Sequence, residues 1–197
     1  VDRPEPLPNV KPREDGAAQR KRLDLIGALD RGFAGEAGSD PFLEAAISNY
    51  EMAWRMQSAV PELVDLRNED PSMTKLYGLD DPEPKTAAYA PQCLTPRRLV
   101  ERGVPFVELS CLTYNIGAGN APNPWDQHSD LKRGHGAQGH QIDRPIAGLL
   151  RDLKARGLLD TTLVIWLSEF GRTPFSQGSN GRDHNPHGFS MWLAGGG

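Results

Sequence analysis

A chain of 197 residues with net charge −4 and a pI near 5.7 has the size of one ordinary domain plus a helical appendage, and no basic face for nucleic acid. No apolar run approaches the roughly 18 residues of a membrane span, and Cys93 and Cys111 are too few for a disulfide framework and form no CxxC. The 17 prolines and 21 glycines predict many loops.

Residues 1–16 carry four prolines and a KPRED run and read as an extended arm. Residues 17–102 read as a helical region. Leu23, Ile26, Leu29 and Phe33 recur at three- and four-residue steps, the pattern of an amphipathic helix. Asp40-Pro41 with Glu44 opens a second helix, expected to bury Phe42, Ala45, Ala46, Tyr50, Ala53, Trp54 and Met56 and to end at Pro61. Core packing is the plainer reading of its aromatic stripe; a ligand stripe is the alternative. Pro71 to Gly78 reads as a short helix closed by its glycine. Asp80-Asp81 reads as a solvated turn rather than a metal site. Lys85 to Arg102 is predicted helical, kinked or restarted at Pro96, with Arg97 and Arg98 on a solvated face.

Residues 103–197 carry an α/β pattern: strand 104–109, helix 143–157 with Asp143 at its N-cap, strand 161–167 and strand 189–193. The order predicts parallel strands joined by crossover helices, and the apolar run Thr161 to Leu167 suits a strand buried on both faces. A long loop, Cys111 to Gln141, contains Trp125-Asp126-Gln127-His128 and then His135 and His140. The chain begins without Met or a leader segment and stops just after a strand, which reads as a piece of a longer protein.

Chemistry concentrates on the loops that leave the strands. Asp126 and His128, Glu169, and Asp183 with His184 offer imidazoles and carboxylates, a mixture suited to Zn, Mn or Fe rather than Ca. Arg172 and Arg182 beside them are candidate anion-binding residues, with ion pairs to Glu169 or Asp183 as the structural alternative. His187 has no assigned role, nor have His135 and His140.

The stretches WDQH (125–128), RGLLDTTLVIWLSEFGRTP (156–174) and GRDHNPHGFSMWLAGGG (181–197) resemble the DUF1501 family, as do LDLIGALDRGF, YEMAWRMQ, KLYGLDDP and RRLVERGVPFVEL. That family is similar to the alkaline phosphatase and sulfatase superfamily and is common in bacteria rich in sulfatases. The resemblance implies a mainly parallel sheet flanked by helices, a partial alkaline phosphatase-like core over 103–197, and a one- or two-metal hydrolytic site. One metal would be held by Asp126, His128 and His184, although the Asp–His spacing is shorter than usual. A second would draw on an Asp-His pair at the end of the central strand. Here that position reads Glu169-Phe170-Gly171, where Glu169 can ligate and Phe170 cannot, with Asp183 as a possible substitute. The superfamily's Ser, Thr or modified Cys nucleophile would precede Val1, so no nucleophile is assigned in this chain.

Metal-dependent hydrolysis of a sulfate or phosphate ester is the implied activity, on a small anionic ester or sulfated glycan, in an exported protein. The contrasting expectation is a non-catalytic exported or cell-surface binding protein that keeps the fold and the metal loop. A third is an interaction module formed by the helices of 17–102.

Overall fold

Prolines open most of the helices and glycines mark several of their ends. The computed structural model describes residues 15–38, 41–113, 125–176 and 180–196, which divide into two units, Val1–Arg67 and Asn68–Gly197. Asp40 and nearly all of the predicted arm lie outside the described residues; Gly16 already begins a helix.

The first unit pairs α1 (Gly16–Ala37) with α2 (Pro41–Val64). A polar clamp sets their rotation. Arg20 bonds Asp24 and both oxygens of Glu51 and lies over the Trp54 ring, while the Gln19 amide donates to Gln57. The half-buried face of α2 therefore holds Leu43, Ala46, Ile47 and Trp54; Phe42, Tyr50 and Met56, expected in the core, are exposed. The helix continues one turn past Pro61, where the Asp65 N–H donates to the Pro61 carbonyl.

In the second unit, α3 (Pro71–Tyr77) is N-capped by Asp70, whose carboxylate accepts from the Ser72 N–H at 2.7 Å, and closed by Gly78 in the left-handed conformation (φ 82°). The chain turns through Asp80 and Asp81, both paired with Arg144, into α4 (Pro84–Glu101), capped by Glu83. The third helix of this layer is α5 (Leu131–Ala155). Tyr77, Tyr89, Ala90, Cys93, Leu94, Leu149 and Leu153 form the buried core among α3, α4 and α5.

Arg97 lies in this core rather than on a solvated face. Only 4% of it is exposed, and it pairs with Glu69 at 2.9 Å and Glu101 at 2.8 Å. Its Nε is 2.9 Å from Asp152 Oδ2, an ion pair without the alignment of a hydrogen bond. Arg156 joins Asp152 to Glu101, and the Tyr77 hydroxyl donates to Asp152.

Helix α5 begins twelve residues before the expected start at Asp143 (131 against 143), so the last third of the predicted 111–141 loop is helical. Glycines at 134, 136 and 139 each oppose helix formation by about 1 kcal/mol relative to alanine. Packing outweighs propensity here. Gly134, Gln138, Gln141, Pro145, Leu149 and Asp152 recur at three- and four-residue steps and are all buried. The Gln141 amide receives the Leu112 N–H at 2.8 Å, and both Gln138 and Gln141 donate to the Leu112 carbonyl. Asp143 is thus a helix-interior residue, and no strand forms over 104–109, whose backbone passes as irregular chain.

The mainly parallel sheet flanked by helices is not what the described residues form. Four short strands, β1 (Val164–Trp166), β2 (Gly171–Arg172), β3 (His184–Asn185) and β4 (Trp192–Ala194), make two antiparallel pairs, β1 with β4 and β2 with β3. The inner pair is nested in the connection between the outer strands. An alternation of helical and apolar segments does not reveal strand direction, and here the last strand returns antiparallel alongside β1 with no crossover helix among the described residues. The apolar run of β1 is half-covered, not doubly buried: Val164 and Trp166 turn inward, while Leu163, Ile165 and Leu167 are exposed. Among the described residues no helix is long and apolar enough to cross a membrane.

Candidate metal centre

The β2–β3 ribbon fixes two side chains of the site by register. Arg172 stands directly opposite His184, so both project from one face of the pair. The ladder is extended by Thr173 and Asp183, whose backbone and side-chain groups exchange bonds of 3.0 and 3.1 Å. Gly171 is required for close approach, since a Cβ there would stand 1.9 Å from the Gly188 carbonyl oxygen.

The loop 125–130 supplies the other two groups, and the segment 180–182 binds it to the ribbon. Arg182 N–H donates to the Gln127 carbonyl at 3.0 Å, and Asn180 accepts from the Asp130 N–H with its side chain and from the Leu131 N–H with its backbone. Asn180 thereby caps α5 from a distant part of the chain, and Asp130, at φ 53°, makes no side-chain cap of its own. A Cβ at Gly181 would lie 2.0 Å from the His128 carbonyl, and one at Gly134 would lie 2.2 Å from the Gln127 amide carbon. Trp125 is seated between His135 and Trp166 in edge-on ring contacts, and His135 Nε2 lies 3.2 Å from the Trp125 carbonyl.

This framework brings three ligand-type atoms to one point. His184 Nε2 is 2.8 Å from Asp126 Oδ1, His128 Nε2 is 3.0 Å from the same oxygen, and the two imidazole nitrogens are 3.1 Å apart. Their side chains are 51%, 46% and 44% exposed for Asp126, His128 and His184, so the cluster faces solvent. Arg172 Nη2 reaches the same oxygen at 2.6 Å. Partial burial alone would push the Asp126 carboxyl up; hydrogen bonds from His184 and Arg172 outweigh it and hold the group below its ordinary value.

The triangle fits a metal. Each imidazole Nε2 carries at most one proton, so at least one of the three edges has no hydrogen bond; a cation would bond all three atoms through lone pairs. At bond lengths of about 2.1 Å, neighbouring ligands around Zn, Mn or Fe stand roughly 3.0–3.4 Å apart. The observed separations need to open by only a few tenths of an ångström to match.

The remaining predicted residues take other places. Asp183 Oδ1 lies 3.5 Å from His128 Nδ1, behind the ring, where a carboxylate orients a ligating imidazole. Among the described residues the acid and imidazole groups clustered closely enough for a metal are Asp126, His128 and His184; Glu169, exposed at the end of the loop leaving β1, is outside that cluster. Arg182 directs Nη1 at the Gly181 carbonyl. His187 lies beside Asn185, and His140 contributes its carbonyl to Thr86.

Sequence reasoning gave no role to two residues that shape the site. Phe170 packs its ring 4.3 Å from that of His184 and 5.8 Å from the Arg172 guanidinium. Gln127, flanked by two ligand residues, is fully buried with neither side-chain polar atom hydrogen-bonded. The only signal for either was position within a polar motif.

No curated protein and no solved structure matches the chain. The model of the DUF1501 family, described as a protein of unknown function, matches residues 2–197. The chain belongs to the DUF1501 family.

Proposed function

We propose that this chain carries a divalent-metal site of a hydrolase acting on sulfate or phosphate esters. The observation that carries the reading is the convergence of Asp126 Oδ1, His128 Nε2 and His184 Nε2 within 3.1 Å of one another on an open surface. A Zn, Mn or Fe ion held by these residues supplies Lewis acidity toward an ester oxyanion. The chain's own groups do the rest. Asp183 fixes the His128 ring from behind, Phe170 supports the His184 ring, and Arg172 places a guanidinium beside the metal position.

One metal is the reading these residues favour, because Glu169 stands apart from the triad and Phe170, where the resemblance expects a second imidazole, cannot ligate. The resemblance to alkaline phosphatases and sulfatases supports the ester chemistry and the expectation of export. A small anionic ester or a sulfated glycan is the substrate class. The test is hydrolysis of aryl sulfates and aryl phosphates by the longest natural polypeptide containing this chain, with Zn, Mn or Fe supplied and then chelated. Metal-dependent turnover abolished by His184→Ala is expected. A metal-loaded protein inert toward both ester classes contradicts the hydrolase reading and leaves a metal-retaining binding protein in its place.

A further inference from the structure

Asp126 Oδ1 is oversubscribed. It faces the His184 and His128 nitrogens at 2.8 and 3.0 Å and the Arg172 guanidinium at 2.6 Å. Of these neighbours, Arg172 brings the permanent positive charge and the shortest contact. Its other polar contacts are weak: 3.3 Å to the Arg182 carbonyl and 3.4 Å to the Trp125 carbonyl, both neutral acceptors. The stem is held at its root by the β2–β3 ladder and its head lies by the Phe170 ring, so the guanidinium has one strong bond to exchange and a fixed base about which to turn.

A divalent cation at the triad withdraws charge from that oxygen and repels the guanidinium beside it. With neutral imidazoles, Asp126 and Arg172 cancel and Asp183 behind His128 adds one negative charge, so a divalent metal leaves the cluster with one uncompensated positive charge. An oxyanion fits that surplus and offers Arg172 a new bidentate partner. Resting on the metal reading above, we infer that Arg172 and the metal compete for Asp126, and that an oxyanion which recruits the displaced guanidinium raises the metal affinity of the site. Metal and anion then bind with positive coupling, each strengthening the other by the same factor.

The opposite role for Arg172, a bond that merely positions Asp126 as a ligand, predicts the opposite sign. Removing a positioning partner typically weakens metal binding by about 10–100-fold. Zinc affinity is measured on the whole chain by competition with a chromophoric chelator, with and without inorganic sulfate, in the wild type and in Arg172→Met, which keeps the apolar stem. The expected result is zinc bound roughly fivefold more tightly by Arg172→Met than by wild type without sulfate. Sulfate tightens zinc binding in the wild type and leaves the variant unchanged. Weaker zinc binding by folded Arg172→Met, or no sulfate effect on the wild type, overturns the competition while leaving the metal site standing. The sulfate comparison needs no variant and holds even where Arg172→Met fails to fold. A wild type that binds no zinc overturns the metal reading itself and the competition with it.

Discussion

The Arg97 network of the helical layer and the Asp126 cluster at the loops are built on opposite principles. In the helical layer, Arg97 and Arg156 are surrounded by Glu69, Glu101 and Asp152, and the cations distribute their bonds over several carboxylate oxygens. Asp152 is 3% exposed and additionally receives the Tyr77 hydroxyl. At the loops, by contrast, Arg172 and two imidazoles crowd onto a single oxygen of a half-exposed aspartate. Buried charges that are shared out evenly stabilise a fold or define its packing. Ligand-type atoms that converge on one point, open to solvent, have geometry a structural ion pair does not need.

The comparison breaks most sharply under substitution. Asp126→Ala and His184→Ala should abolish stoichiometric metal binding, read by elemental analysis, while leaving the far-ultraviolet circular dichroism of the helices unchanged. Asp152→Ala should do the reverse. It leaves Arg97 buried without a full complement of partners and should cost about 3–5 kcal/mol in denaturant unfolding, with metal retained under native conditions. If Asp152→Ala instead releases metal from a protein that remains folded, the two clusters are coupled and the distinction fails.

A smaller effect lies in the close packing between the site loops. Gly181→Ala drives a methyl into the His128 backbone, and rotamer change cannot relieve a clash with main chain. Displacement of His128 should weaken metal binding by at least about tenfold, and overpacking should cost about 1–3 kcal/mol. Metal affinity unchanged in this variant would show that the 125–130 loop is not held where the triad requires it.

Alkaline titration probes the helical core alone. Burial pushes the Cys93 thiol up to about 12 and raises the Tyr77 and Tyr89 hydroxyls, the latter also through the neighbouring cysteines. A folded-state value above the unfolded one stabilises fully below the unfolded value and is lost as pH rises toward the folded one. Unfolding free energy should therefore fall between about pH 9 and 12, Cys93 contributing at most about 1.4 kcal/mol per pH unit. Cys93→Ala should flatten that part of the curve. The smallest effect is expected at Asp81→Asn. Hydrogen bonds from Arg144 and the Glu83 N–H hold that carboxyl low, so the variant's slight loss of Tm should vanish as pH falls through the carboxylate range.

Local chemistry was the legible part of this chain. Asp70-Pro71 and Gly78 bound a helix because capping is decided by residues within one turn. Asp126, His128 and His184 were grouped by the family resemblance rather than by their motifs, each weak alone, and the structure brings the three together. What depends on distant partners was hidden. The register that sets Arg172 opposite His184, the Asn180 cap on α5, and the buried glutamines that hold Leu112 are all long-range bonds. Arg97 looked solvated because nothing nearby in sequence announces Glu69 or Asp152 as its partners. Strand direction was misread for the same reason: a parallel crossover and an antiparallel return use similar apolar runs, and only pairing distinguishes them.

The most direct test is the metal content of the folded whole chain after incubation with Zn, Mn and Fe and removal of excess ion, beside Asp126→Ala and His184→Ala treated identically. The account predicts close to one bound ion per chain in the wild type and none in either variant. Folded wild type that retains no metal under any of the three conditions would contradict it.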